Sequence, residues 1–202
     1  MQKSTPQTKL DMFLPWLLVV GSFVGLISSF ILMLEKMAVL RDPNYTPSCN
    51  LNPVLACGSV IRTLQASAFG FPNPIIGLVG FAVVITVAMG LFAGAQYKRW
   101  FWRGLQLGTL FGVSFIHWLA FESIYRINAL CVYCMIVWVV TIAMFWYTLL
   151  YNVRHSYLPT PRALQRAVAF SQKHHLDILV AWYILFILAI ATHFWYYWKT
   201  VL

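Results

Sequence analysis

The chain has 202 residues, of which 61% are hydrophobic and only 9% charged, with nine Trp, ten Tyr and fifteen Phe. That balance excludes an ordinary soluble domain and points to a membrane protein. The formal net charge of +9 does not signal nucleic-acid binding, because the basic residues flank apolar runs instead of forming one groove, as topology and anionic lipid require.

Five apolar runs, 14–34, 74–95, 104–121, 129–151 and 178–198, approach or exceed the roughly 20 residues that cross about 30 Å of hydrocarbon as helix. The third is the shortest and is expected to extend toward Tyr125. The expected fold is an all-α integral membrane protein, one compact domain without an internal linker. It divides into a polar N-terminus (1–13), a region 14–151 with an outer loop at 35–73, a basic connection (152–177), and a last span with a short tail (178–202).

The first run is too long for a signal peptide and lacks a small-x-small cleavage site, so it is expected to remain as a helix. Placing the N-terminus in the cytoplasm puts Lys3, Lys9, Lys98, Arg99, Arg103, Arg154, Arg162, Arg166 and Lys173 on that side. Lys36, Arg41, Arg62, Arg126 and Lys199 then lie outside, a bias that fits the positive-inside rule. Five spans leave the C-terminus outside, and all four cysteines share that extracytoplasmic face, where disulfide chemistry is permitted.

In the first outer loop, "RDPNYTPSCN" reads as extended or turning chain before Cys49. Asn52 and Pro53 in "LNPVLACGSVIRTL" have the N-cap and N1 pattern of a short helix whose underside carries Leu55, Ile61 and Leu64, with Gly58 weakening its middle. "GFPNPIIG" returns the chain to the second span, so the loop is expected to lie over the bundle as a lid. Connections are expected at 96–103 and 122–128. "PRALQRAVAFSQKHH" reads as an interfacial helix beginning near Pro161, and "HFWYYW" at 193–198 as an outer aromatic belt.

The chemistry lies in the cysteines. Asn128 is expected to cap the fourth membrane helix, with Cys131 in its first turn and Cys134 one turn deeper on the same face. Backbone N–H groups and the helix dipole favour a thiolate there, the reactive species in thiol–disulfide exchange. Cys49 and Cys57 enclose seven residues on a stretch expected to be flexible, enough chain to meet each other or to reach another cysteine. The two pairs together read as a relay from a protein dithiol to a lipid-soluble two-electron acceptor, for which a quinone is suited.

"SCNLNPVLACGS", "FGFPNPIIG" and "ALCVYC", in that order and in that membrane setting, resemble the vitamin K epoxide reductase family over residues 15–151, its bacterial quinone-linked homologues most of all. The other bacterial membrane family of disulfide-bond oxidoreductases places its CxxC in the first outer loop, unlike this chain. The resemblance implies a four-helix bundle around a quinone site, supplemented by a fifth span, with a partly helical outer loop. It also implies catalytic Cys49, Cys57, Cys131 and Cys134: Cys134 facing the quinone, Cys131 exchanging with Cys57, and Cys49 meeting the partner. Asn73 would hydrogen-bond a quinone oxygen and Thr63 would approach the catalytic pair.

Phe69, Phe71, Trp118, Phe121 and Trp138 are candidates for an apolar ring pocket. Animal members carry Tyr where Trp138 stands, which puts epoxide reduction in doubt here. The quinone, whether menaquinone, ubiquinone or phylloquinone, is not specified by these residues. Some relatives carry a thioredoxin-fold domain after the fifth span; this chain ends at Leu202, so a separate thioredoxin-fold partner is expected, in a bacterial cell membrane.

His117 and Glu122 are read as a packed, satisfied histidine and an interfacial carboxylate in preference to proton carriers. No metal is expected. Two alternatives are ranked below the relay: a structural zinc on the four cysteines, and a transporter or channel, whose doubled broken-helix pattern is absent.

Overall fold

The computed structural model describes residues 9–201. Residues 1–8 of the predicted cytoplasmic N-terminus, with Lys3, and Leu202 of the predicted tail lie outside the described residues. The chain is all helical: α1 (Lys9–Arg41), α2 (Cys57–Ile61), α3 (Pro74–Phe92), α4 (Arg99–Phe121), α5 (Val132–Arg154), α6 (Gln165–Lys173), α7 (His175–His193) and α8 (Trp195–Val201). Short 3₁₀ turns occupy Leu64–Ser67 and Arg162–Leu164, and a π-helical extension, Glu122–Ile127, prolongs α4. Among the described residues, five helices are long and apolar enough to cross a membrane, making this a multi-pass membrane protein.

At 33 residues, α1 is about 50 Å long, more than a hydrocarbon slab needs. Its charged last turns, from Glu35 to Arg41, therefore rise beyond the apolar run and serve as a post for the outer loop. Small residues let α3 lie close on α1: Gly77 faces Ser29, and Gly25 accepts the Phe81 ring, which leaves no room there for a Cβ. On the other side α5 packs against both α1 and α4. The end of the bundle remote from the cysteines is tied by polar contacts. Buried Asn152 donates to the Trp102 carbonyl and to Gln106 Oε1, Arg99 and Arg103 donate to the Tyr157 carbonyl, and His155 pairs with Asp11 at 2.8 Å.

Several expectations are corrected. The segment 122–128 is mostly helix, not a connection: Asn128 adopts the left-handed conformation (φ 57°) that Asn tolerates, and the Ala129 N–H reaches back to the Ser123 carbonyl to close the helix end. Asn128 consequently ends one helix and does not cap the next. The connection expected at 96–103 is shorter, since α4 already begins at Arg99. The last span is broken at fully buried Phe194, with α8 continuing separately. The helix expected near Pro161 starts at Gln165 after a 3₁₀ turn, and its Phe170 is exposed.

Candidate functional site

Cys131 is the N-cap of α5, in extended conformation, and its sulfur accepts the Cys134 N–H at 3.4 Å. It takes the place expected for Asn128 and satisfies one of the helix's open donors with a thiol. Cys131 stands just outside the membrane-spanning helix. Its thiol is held below the ordinary range by a hydrogen bond from the Cys134 side chain and by backbone N–H groups of Cys134 and Tyr133, against opposing burial and the Glu35 charge.

The outer loop is fastened, not free. Asn52 does not start a helix; its side chain accepts the N–H groups of Val54 and Leu55 in a turn, and α2 begins only at Cys57. Asn50 Oδ1 accepts the Gly58 N–H at 2.8 Å across the loop closed by the Cys49–Cys57 disulfide, whose Cα atoms lie 5.6 Å apart. The Leu130 N–H donates to the Val54 carbonyl at 2.7 Å, and the Ala56 N–H donates to the Leu130 carbonyl at 2.9 Å. This parallel bridge, Leu55 to Leu130, ties the chain two residues before Cys57 to the residue before Cys131. Cys49, Cys57 and Cys131 are buried together with Leu32, Val39 and Ile61, and Cys134 packs on that cluster. Cys131 and Cys134 are free thiols.

The post formed by α1 holds the other side of the loop. Glu35 Oε1 accepts from Ser48 Oγ at 2.5 Å and from the Ser48 N–H at 3.3 Å, fixing the residue before Cys49. A hydrogen bond to the same carboxylate, more than burial or charge, pushes the Tyr45 phenol above its ordinary value. Lys36 Nζ donates to the Ile61 carbonyl and Arg62 to the Tyr45 carbonyl. Cys49 is only 5% exposed beneath these contacts.

Below the cysteines lies an apolar cavity of about 740 Å³ walled by α1, α3, α4 and α5. Cys134, Asn73, Thr63, Phe71 and Trp138 all line it. Asn73 Nδ2 donates to the Gln65 carbonyl at 2.7 Å and its Oδ1 accepts the Ala68 N–H, which leaves one amide hydrogen uncommitted. The Thr63 hydroxyl donates to the Val60 carbonyl of its own turn. Gly80, Gly104 and Gly108 contribute wall without side chains, each with open space where a Cβ would stand.

The other aromatic candidates are placed outside this lining. Phe69 packs on Phe71, Phe111 and Phe115, Trp118 stacks on Phe115, and Phe121 meets Tyr125 at the exposed flank. His117 turns away toward α7: its Nδ1 is 2.7 Å from the Val113 carbonyl and its Nε2 accepts from Trp182 Nε1, so it is a packed, satisfied histidine. Glu122 is buried on the cavity wall. Sequence reasoning passed over Glu35, Lys36 and Gln65. The only sequence signal for the first two was a charged pair directly after an apolar run that continues as helix.

Two sulfur pairs in one buried cluster, one pair bridged and one free, support thiol-based redox chemistry in a membrane protein. The family model described as "Vitamin K epoxide reductase family" matches residues 16–149. No curated protein matches the chain.

Proposed function

The chain belongs to the vitamin K epoxide reductase family, and on that premise we propose that it is a quinone-dependent thiol–disulfide oxidoreductase of a bacterial cell membrane, taking electrons from a separate extracytoplasmic thioredoxin-fold protein. The observation that carries this reading is the position of Cys134. It packs against the buried sulfur cluster on one side and lines the apolar cavity on the other.

The cavity fits a substituted quinone ring. Its volume falls in the range of small-molecule sites, its wall is apolar, and Asn73 offers one N–H to an oxygen. Trp138 supplies an aromatic face without a phenol. Menaquinone, ubiquinone and phylloquinone are all compatible with these contacts. Four helices, α1, α3, α4 and α5, surround the space, and α7 stands outside them. With the basic end of the bundle in the cytoplasm, the cysteines face outward.

The residues then divide the work. Cys49 receives the partner's thiolate, and with Cys57 it takes two electrons as the disulfide opens. Cys57 attacks Cys131 when the inner pair is bridged, forming a mixed disulfide; Cys49 then resolves it and restores the outer bridge. The stabilised Cys131 sulfur is a good leaving group in that last exchange. The inner dithiol, through Cys134, delivers electrons to the cavity. A quinone bound there supplies a two-electron, two-proton sink. Each 30 mV of potential difference along this path is worth about 1.4 kcal/mol.

The test uses the full chain in lipid nanodiscs, with ubiquinone-1 or menadione followed by absorbance. Dithiothreitol should drive quinone reduction in the native protein; Cys134→Ala should abolish it. Cys49→Ala should impair electron entry from a protein dithiol yet keep more of the small-dithiol activity. Equal loss of both activities in two folded variants would remove the ordered relay, and a native protein that reduces neither quinone would remove the function.

A further inference from the structure

The relay above leaves Glu122 without a task. This carboxylate is 3% exposed and lines the same space as Cys134. Among the described residues on the cavity wall, the titratable ones are Lys36, Glu122 and Cys134. A buried carboxylate is costly unless its oxygens are partnered. Here Oε2 accepts from Gln65 Nε2 at 3.2 Å, and Oε1 lies 3.3 Å from Nη1 of Arg126. The Arg126 side chain is 64% exposed, so that ion pair opens on water. On the inner side, the Gln65 carbonyl accepts from Asn73. A line of polar groups thus joins solvent to the cavity wall through Arg126, Glu122, Gln65 and Asn73, within a lining that is otherwise mostly hydrocarbon.

We propose that Glu122 is the proton-exchange group of this cavity, passing protons between the space beside Cys134 and water beside Arg126. The inference rests on the thiol–quinone reading and adds to it the route of the protons. When Cys131 and Cys134 close their S–S bond they release two electrons and two protons. Both electrons go to the quinone, and two protons complete its reduction to hydroquinone. Glu122 accepts a proton and hands one on, ending each cycle in the state in which it began. Arg126 holds the carboxylate at the water-facing end. The other charged or titratable groups around the space are Lys36 from α1 and Cys134 from α5; Gln65, on the 3₁₀ turn against Glu122, does not titrate.

The test compares the native chain, Glu122→Gln and Glu122→Asp in nanodiscs, with dithiothreitol as donor and ubiquinone-1 as acceptor. Glu122→Gln should slow quinone reduction about tenfold or more and flatten its pH profile, whereas Glu122→Asp should keep most of the rate. A second readout needs no quinone. The infrared difference spectrum between the reduced and chemically oxidised inner pair should contain a carboxyl band that is lost in Glu122→Gln and shifted in Glu122→Asp. A native rate and pH profile in Glu122→Gln would overturn the proposal, as would a native difference spectrum with no carboxyl band. If Glu122→Gln does not assemble, the native spectrum and the Glu122→Asp shift decide alone. A native protein that reduces no quinone is a different result: it defeats the parent reading and this one with it.

Discussion

Leu55 and Leu130 pair as a parallel bridge, the one place among the described residues where the outer loop and the chain entering α5 share backbone hydrogen bonds. Cys57 follows the first by two residues and Cys131 follows the second by one, and both sulfurs are buried in the same apolar cluster. Two short bonds, 2.7 and 2.9 Å, therefore fix the register in which one disulfide can be exchanged for another.

That register predicts a trapped crosslink. In the double variant Cys49→Ala, Cys134→Ala, only Cys57 and Cys131 remain, and mild oxidation should join them nearly quantitatively within one chain. Mass spectrometry of the linked peptides checks it. Recovery of two free thiols after oxidation of folded protein would show that the bridge does not bring the sulfurs into exchange distance.

The same pair predicts a pH dependence. The Cys134 side chain is the first cause holding the Cys131 thiol below its ordinary value, so Cys131 is thiolate at lower pH than a plain cysteine, and exchange through it should persist to lower pH. Against a Cys49→Ala background, Cys134→Ser keeps a hydroxyl donor, whereas Cys134→Ala removes it and lets the thiol titrate higher. The pH at half-maximal rate of Cys57–Cys131 bond formation should therefore be lower for the serine variant. Coincident profiles would show that the donor has no such effect.

The membrane helices were legible because each needs only a run of apolar residues, and the cysteines because their spacing and order are local facts. The ends of elements were not. Hydropathy marks a slab, so it stopped α1 near Leu34 and missed the polar turns that carry Glu35 and Lys36. The cap of α5 was misplaced because Asn128 is a good cap by type, yet its left-handed turn closes the preceding helix. That choice depends on bonds to the Ser123 carbonyl and on the distant partner Val54. His117 and Glu122 read alike in sequence, but one faces Trp182, 65 positions away, and the other the cavity. Which way a polar side chain turns is settled by packing, not by its neighbours in the chain.

Access to the outer disulfide should be governed by the clasp between Glu35 and Ser48. Cys49 is almost fully covered, so reduction from outside requires the Ser48 segment to lift. Glu35→Ala removes two hydrogen bonds to a charged group, and each such bond contributes about 1.5–3 kcal/mol. If about 1–2 kcal/mol of that resists opening, reduction of Cys49–Cys57 by a phosphine should accelerate about 5–30-fold. Quenched alkylation over time measures it. An unchanged reduction rate in folded protein would show that the clasp does not limit access.

Two glycines separate the cavity from the scaffold. Both line the cavity, but Gly108 has open space where its Cβ would stand, whereas a Cβ on Gly77 would meet Ser29 across the close approach of α1 and α3. Gly108→Leu should place a side chain in the cavity without disturbing a helix contact. Its thermal stability should equal or exceed the native value, its Cys57–Cys131 crosslinking should be unaltered, and its KM for ubiquinone-1 should rise about tenfold, the loss of roughly 1.4 kcal/mol of ring binding. Gly77→Leu must instead push two helices apart, at a cost of about 1–3 kcal/mol for overpacking, and should lower stability, crosslinking and quinone reduction together. Gly108→Leu with native quinone kinetics would place the ring elsewhere, since a side chain filling this cavity competes with any ligand held beside Cys134.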